Sequence, residues 1–587
     1  MNYQERYKEW LDSEVFDEET KTELRAIAND DKEIEDRFYK DLKFGTGGLR
    51  GVIGAGTNRM NIYTVTKATQ GLANYIRSLG DEAISKGVAL AYDSRNMSPE
   101  FAEATALCLN ANGIKTYIFD SLRPTPELSY AVRKLNCVAG VVITASHNPP
   151  EYNGYKVYWE DGAQITPPHD KNILAHVAEV TDFDQVLKMN LADAKEQGLY
   201  NMVPDSVDED YYNELVQQTI HSDIIPKIAD DMTIVFTPLH GTGNVPVQEV
   251  LKRLGFTKVY IVPEQEQPDG DFPTVASPNP ENPEGFAMAL ALAKKVDADI
   301  VMATDPDADR LGIYVKDTNG VFEGTELANT DDYPYVCFNA NMTGALVAEY
   351  VCRERKNTGT LPANGALCST IVSTNLAAAI AKAYDLKFIE TLTGFKYIGE
   401  QIKFFDENHS YKFIYGMEES YGCLVGDYTR DKDACGAVVM LSEVAAFYKT
   451  QGKTLCDAME EIYEKYGYYR EGAHSLTLKG ADGEARIKEI MNNLRSNPIT
   501  EVAGLKVVAL RDYKEDRRVD FESKVETATG LPRSNVLYFE LDKDGWFAVR
   551  PSGTEPKIKF YFGVNEATMK DANDKLAEIK RFVVTLA

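Results

Sequence analysis

The sequence predicts an α/β protein of four domains: three similar α/β domains with mixed, largely parallel sheets, then a C-terminal α+β domain with an antiparallel sheet. Three observations carry this. The chain has 587 residues, too many for one core when a domain holds about 100–200. A strand–helix–strand pattern of about 30 residues recurs three times, and a recurring unit decides architecture. After about residue 470 the pattern gives way to strands joined by a tight turn and a closing helix.

The first repeat reads as a strand over Val88–Asp93, a helix over Pro99–Asn112 and a strand over Lys115–Phe119. The second runs through Thr233–Phe236, Val245–Leu254 and Lys258–Val262, and the third through Ala366–Ile371, Leu376–Tyr384 and Lys387–Ile389. Short apolar runs joined by an amphipathic helix are the pattern of parallel strands with a crossover. Ahead of the repeats, residues 1–43 are charged, with Tyr7, Trp10, Leu11, Leu24 and Phe38 at irregular helical intervals, as expected of short helices packed on a larger body. In the last segment Val536–Leu541, Trp546–Val549 and Lys557–Phe562 read as strands around the Asp542-Lys543-Asp544-Gly545 turn, and Glu566–Leu586 as a helix. Linkers near 205, 325 and 470 divide the chain into domains 1–205, 206–325, 326–470 and 471–587.

Hydrophobic residues make up 44% and charged residues 26%, the balance of a globular chain that folds throughout. A formal charge of -28 argues against nucleic acid or an anionic membrane as the main partner, so an anionic ligand must be drawn by a local cluster of Lys and Arg. The eight cysteines form neither a CxxC pair nor a zinc spacing. Met1 to Arg6 lacks the start of a leader, and no run of about 18 apolar residues occurs. A cytoplasmic, reduced protein is expected, and oligomeric state, monomer or homodimer, leaves no readable mark.

Four loops stand out. The apolar run Val138–Ile143 ends at Thr144-Ala145-Ser146-His147-Asn148-Pro149, where proline bars continuation of the strand and a serine hydroxyl reaches a loop at the edge of a core. Ser146 is a candidate nucleophile, and the same hexapeptide also reads as a Ser/Asn/Pro turn. Asp305-Pro306-Asp307-Ala308-Asp309-Arg310 follows the apolar Ile300–Ala303. Carboxylates at i, i+2 and i+4 converge on one hard cation, magnesium or calcium rather than zinc, while Arg310 and Lys316 stand where an EF-hand needs glycine and glutamate. A solvated acidic loop is the plainer alternative.

Tyr415-Gly416-Met417-Glu418-Glu419-Ser420-Tyr421-Gly422 sets a carboxylate and a hydroxyl two residues apart, suited to vicinal sugar hydroxyls or to an ordinary turn. Arg550-Pro551-Ser552-Gly553-Thr554-Glu555-Pro556-Lys557 offers a bidentate donor, hydroxyls and glycine amides to a phosphate dianion, or a plain Pro/Gly hairpin. A fifth stretch, Phe44-Gly45-Thr46-Gly47-Gly48-Leu49-Arg50-Gly51, lacks P-loop and dinucleotide spacing and reads as an anion-facing glycine turn beside Arg50 or as a glycine turn alone.

Four individually weak loops in one order are far more specific than any one of them. The chain resembles the α-D-phosphohexomutases, the phosphoglucomutase/phosphomannomutase superfamily, and within it the longer phosphoglucomutase-2-like branch, from about Phe44 to the C-terminus. The resemblance implies that Ser146 carries the transferred phosphate. It implies that Asp305, Asp307 and Asp309 hold Mg2+ with the serine phosphate as a further ligand, and that Lys156 in Asn153-Gly154-Tyr155-Lys156 is the general acid/base with Arg50 beside it. Glu418 and Ser420 would bind sugar hydroxyls. Arg550, Ser552, Gly553 and Thr554 would hold the non-reacting phosphate, and Lys396 and Arg310 would add substrate contacts. His147 is assigned to shaping the serine loop. Where many relatives have Asp-Lys-Asp-Gly, this chain has Asp431-Lys432-Asp433-Ala434; the departure lies outside the four loops and puts little in doubt.

The activity implied is reversible interconversion of glucose 1-phosphate and glucose 6-phosphate through phospho-Ser146, with glucose 1,6-bisphosphate as primer and intermediate. Phosphomannomutase and phosphopentomutase would use the same loops. A phosphatase would not need both a sugar loop and a distal phosphate clamp, and a non-catalytic sugar-phosphate binder is disfavoured by the intact Ser146, Lys156 and aspartates. Arg50 is expected to push the Lys156 pKa down and the aspartates to push it up.

Overall fold

The computed structural model describes residues 2–45, 47–328, 330–478, 480–552 and 557–586. The chain forms two compact units. One comprises Met1–Gly312, Gly399–Glu407 and Leu424–Met440; the other comprises Ile313–Ile398, Asn408–Cys423 and Leu441–Ala587.

The first unit opens with helices Tyr3–Asp12, Glu18–Ala26 and Asp31–Phe38, whose N-termini are capped by the side chains of Asn2, Asp17 and Asp30. Trp10, Phe16, Leu24, Ile34 and Phe38 share a small core with Ala55 and Tyr63, Trp10 stacking on Phe16 with centroids 4.1 Å apart. The irregular apolar spacing of this segment is that of three short helices feeding one aromatic cluster.

A six-stranded sheet follows: β1 (Gly48–Val52), β2 (Val88–Tyr92), β3 (Thr116–Ile118), β4 (Ala139–Ile143), β5 (Tyr152–Trp159) and β6 (Tyr200–Met202), in the order β1-β5-β4-β2-β3-β6. β4, β2, β3 and β6 run parallel, and β5 and β1 pair antiparallel at one edge. The glycine-rich stretch expected as a turn is thus partly edge strand. A Cβ on Gly48 (φ +147°) would stand 1.7 Å from the Tyr155 carbonyl oxygen, so only glycine permits this pairing. Buried Val, Leu and Ile of these strands pack on helices Ile62–Ser78 and Ser98–Ala111. Further along, β7 (Thr233–Thr237), β8 (Lys258–Ile261) and β9 (Ile300–Thr304) are parallel, in the order β9-β7-β8.

In the second unit residues 313–316 of β10 (Leu311–Lys316) pair antiparallel with β11 (Tyr335–Phe338). β12 (Gly365–Thr370), β13 (Lys387–Thr391) and β14 (Lys412–Glu418) are parallel, in the order β13-β12-β14. β15 is Gly422–Val425. The C-terminal part is an antiparallel sheet of β16 (Tyr468–Thr477), β17 (Glu501–Val502), β18 (Leu505–Asp512), β19 (Arg517–Asp520), β20 (Glu526–Thr527), β21 (Leu537–Leu541), β22 (Trp546–Pro551) and β23 (Lys557–Glu566), covered by helices Gly480–Ser496 and Met569–Thr585 around one core.

The threefold repeat is explicit in these trios. In each, the first strand lies between the second and the third: β4-β2-β3, β9-β7-β8 and β14-β12-β13. In each, the loop leaving the C-terminal end of the third strand is one the sequence singles out, at Ser146, Asp305 and Ser420. The carboxyl ends of parallel strands are where open α/β sheets place their ligands. Among the described residues no helix is long and apolar enough to cross a membrane.

Candidate active site

Ser146 and His147 of the β4 loop and the three aspartates of the β9 loop meet in the first unit. Ser146 adopts φ +53°, in the left-handed region where a non-glycine residue costs about 1–2 kcal/mol. Its amide donates to Thr144 Oγ1 at 2.8 Å, and its Oγ donates to Asp305 Oδ2 at 2.7 Å and lies 3.1 Å from His147 Nδ1. Asp305, Asp307 and Asp309 are buried, and each offers an oxygen within 4.8 Å of those of the other two. Asp305 Oδ1 accepts the amides of Asp309 and Arg310, which folds the loop around it. Asp307 Oδ2 accepts from Thr125 Oγ1 at 2.8 Å and Lys156 Nζ at 2.7 Å. Asp307 Oδ1 and Asp309 Oδ1 are buried with no hydrogen-bond partner among the described residues. Buried unpaired carboxylate oxygens are costly, and oxygen donors alone suit a hard cation such as Mg2+. The three aspartates therefore fit the metal the sequence implies.

The electrostatics follow from burial and crowding. Burial, reinforced by Asp307 and Asp309, raises the Asp305 pKa well above the usual carboxylate range. Burial pushes Asp307 the same way but is outweighed by Lys156, which holds it low. Burial, with Arg310 and Arg50, pushes His147 down to about 2, so its imidazole is neutral. For Lys156 burial lowers the pKa, yet Asp307 and Asp309 outweigh it and the net shift is upward. The aspartates win the contest left open by sequence. Lys432 is the cation that opposes them most at Lys156, and Arg50 bears on His147 and Arg95.

Arg50 and Lys156 share a face of neighbouring strands, since β1 and β5 pair Arg50 with Gly154 and Gly48 with Lys156. Arg50 Nη1 is 3.4 Å from Asn148 Oδ1. Arg310 pairs with Glu281.

Three residues given no role in the sequence reading complete this cluster. Thr125 caps Asp307 through its hydroxyl and its amide, from the start of helix Thr125–Lys134. Arg95 holds the Ser146 carbonyl at 2.6 Å. Lys432 Nζ lies 3.1 Å from Asp309 Oδ2, which brings the Asp431–Ala434 stretch to the cluster. Its flanks are anchored by buried phenols: Tyr158 donates to Asp431 at 2.7 Å, and Tyr211 and Tyr428 donate to Asp433 at 2.7 and 2.8 Å. A lysine between two aspartates reads locally as a solvated turn, and only packing on those tyrosines reverses that.

The remaining candidates lie in the second unit. Glu418 is buried at the end of β14, and its neighbour Glu419 turns toward Thr370 Oγ1 at 2.7 Å. Ser420 follows in the turn, and Tyr421 takes φ +65°. Lys396 sits at the start of helix Phe395–Asn408, its ammonium 5.3 Å from the Tyr397 ring centre. Arg550 stands in β22 opposite Lys559 of β23, and the Ser552 amide donates to the Lys557 carbonyl at 2.7 Å, closing the hairpin. Gly553 and Thr554 lie outside the described residues.

Sequence profiles of the four phosphoglucomutase/phosphomannomutase domains match in order: α/β/α domain I over residues 41–183, domain II over 209–320, domain III over 339–466 and the C-terminal domain over 495–579. The chain belongs to the phosphoglucomutase/phosphomannomutase family. It is 39% identical over 538 residues to a phosphoglucomutase of Staphylococcus epidermidis, covering 91% of this chain and 92% of that protein. It is 37% identical over 547 residues to one of Staphylococcus aureus, covering 93% and 94%. Its fold matches the open form of the Paramecium phosphoprotein parafusin, a phosphoglucomutase, with TM-score 0.68 at 19% identity over 93% of this chain and 95% of that one. It also matches a Thermus thermophilus putative phosphomannomutase, with TM-score 0.65 at 22% identity over 93% and 99%.

Proposed function

We propose that this enzyme is a phosphoglucomutase, interconverting α-D-glucose 1-phosphate and glucose 6-phosphate through phospho-Ser146 and glucose 1,6-bisphosphate. The observation that carries the reading is Ser146 Oγ, 2.7 Å from the first of three clustered buried aspartates, with two lysines ion-paired into the same cluster. A phosphorylated serine there meets a carboxylate cluster that repels it, so the positive charge gathered on Asp307 and Asp309 is what lets it stay. The family relatives named phosphoglucomutase support glucose as the sugar.

In the proposed reaction the P–Oγ bond of phospho-Ser146 breaks as a bond forms from phosphorus to the free hydroxyl oxygen of the sugar phosphate. The proton leaving that hydroxyl ends on Ser146 Oγ, with Lys156 as the acid/base that relays it. The bisphosphate then turns over and the reverse transfer moves its other phosphate to Ser146. Asp305, Asp307 and Asp309 would hold Mg2+, which when bound offsets charge on the phosphoryl oxygens. Glu418 and Ser420 would read sugar hydroxyls, and Arg550, Ser552, Gly553 and Thr554 would hold the resting phosphate, with Lys396 and Arg310 as further contacts.

The test is a coupled assay with bisphosphate primer and Mg2+ across glucose, mannose, ribose and deoxyribose 1-phosphates, alongside intact mass of the protein. Turnover with glucose 1-phosphate and one phosphate on Ser146 are expected, and Ser146→Ala should lose both at unchanged melting temperature. Wild-type turnover in that variant would sink the assignment. Preference for mannose or a pentose would move the activity within the family.

A further inference from the structure

The segment Ser146–Tyr152 is wrapped around one buried guanidinium. Arg95 Nη2 donates to the carbonyls of Ser146, at 2.6 Å, and Asn148; its Nη1 donates to those of Pro149 and Tyr152 at 2.9 and 3.0 Å. The fifth direction, Nε, faces Asp93 Oδ2 at 3.4 Å, and both side chains are fully buried. Asp93 is itself fixed, its Oδ1 accepting from the Arg95 amide at 2.9 Å and Ser98 Oγ at 2.8 Å. The ring of Phe272 covers the guanidinium, its centre 5.0 Å from Cζ. Of the three intervening carbonyls, that of His147 accepts from Ser277 Oγ at 2.7 Å and that of Glu151 from the Ile53 amide at 2.8 Å.

A loop with four carbonyls turned onto one planar cation cannot change its backbone torsions singly, because each peptide is planar and its carbonyl is already committed. The Ser146 carbonyl is one of the four, and Ser146 is held in the left-handed region. That torsion aims Oγ at Asp305 rather than along the strand. Arginine is required for this: a lysine ammonium donates from one point and cannot span carbonyls four residues and more apart as a fork can.

We propose that Arg95 is a positioning residue that locks the Ser146 backbone so that the phosphoserine faces the sugar and not water. It touches neither substrate nor reacting atoms. Released from the clamp, Ser146 relaxes to an ordinary torsion and its phosphate swings off line. The inference rests on the reading of Ser146 as the phosphoryl carrier.

Two variants of the full-length enzyme test it, Arg95→Lys and Phe272→Leu, the second retaining every hydrogen bond and near-native volume. For Arg95→Lys we expect kcat to fall about 100-fold with KM for the sugar phosphate within about threefold. Phosphate released to water per sugar phosphate isomerised should rise at least about tenfold. Phe272→Leu should move both readouts the same way by a smaller factor. A merely structural Arg95 would lower the melting temperature and leave kcat per folded molecule and the release ratio at wild-type values, which would overturn the proposal. Should Arg95→Lys fail to fold, unchanged kcat and release ratio in Phe272→Leu would overturn it alone. Absence of phosphate on wild-type Ser146 would instead sink the mutase reading beneath it.

Discussion

Lys432 Nζ lies 3.1 Å from Asp309 Oδ2, the same oxygen that Lys156 approaches at 3.5 Å. Two ammonium groups thus share one buried carboxylate oxygen, and each raises the electrostatic cost of the other. Lys432→Met should lower kcat about 100-fold, the usual consequence of removing one fixed cation from a phosphoryl-transfer site, with KM for sugar phosphate within about threefold. Because Asp309 loses a competitor, half-saturating Mg2+ should also fall. Steady-state kinetics with a Mg2+ titration reads both, and wild-type kcat would show that Lys432 is only a structural tie.

The aspartate cluster predicts a metal requirement. Chelation of Mg2+ should remove turnover reversibly, and Asp309→Asn should raise half-saturating Mg2+ by at least about tenfold. Calorimetric titration of Mg2+ into the unprimed protein measures this independently of catalysis. Equal affinity in the variant would remove Asp309 from the proposed ligand set.

Glu127 predicts a pH dependence of stability. It is fully buried, and burial together with the Asp208 carboxylate, itself held by Arg123, raises its pKa well above its ordinary 4.5. The folded protein keeps this proton while the unfolded chain releases it above that value. The stability contributed by the protonated carboxyl is therefore full below about pH 4.5 and is lost as pH rises toward the folded-state pKa. Glu127→Gln keeps the shape of the protonated acid without that loss, so its melting temperature relative to wild type should be higher at pH 8 than at pH 5. Equal differences at both pH values would mean that Glu127 is ionised in the fold.

Gly48 predicts a backbone constraint. Its positive φ and the Tyr155 carbonyl at 1.7 Å from any Cβ leave no room for alanine. Gly48→Ala should cost about 3 kcal/mol or more and displace Arg50 from the face it shares with Lys156. Thermal denaturation with kinetics checks this, and a neutral substitution would mean that β1 can shift its register freely.

Much of the fold was legible because strands and helices announce themselves locally. The three repeats fall within a residue or two of their predicted places: Val88–Tyr92, Thr233–Thr237 and Gly365–Thr370 open them, and Ser98–Ala111, Asn244–Leu254 and Leu376–Ala383 cross over. Alternation and 3.6-residue periodicity depend on near neighbours in sequence. Less of the C-terminal sheet was legible. β16, β18 and β19 carry charged residues on a solvated face, and their pairing is set by strands many residues away.

The sequence by itself determined that Ser146 ends a buried strand, that three aspartates at alternate positions end another, and that the two belong to one family of phosphoryl-transfer enzymes. Only the tertiary structure decided which side chains meet them. Lys432, 127 residues beyond Asp305, joins the cluster because Tyr158, Tyr211 and Tyr428 hold its loop down. Arg95 reaches Ser146 because parallel β2 and β4 end side by side, pairing Tyr92 with Ile143. A strand order and a buried phenol have no local signature, so these contacts come from the packing of distant segments into one core.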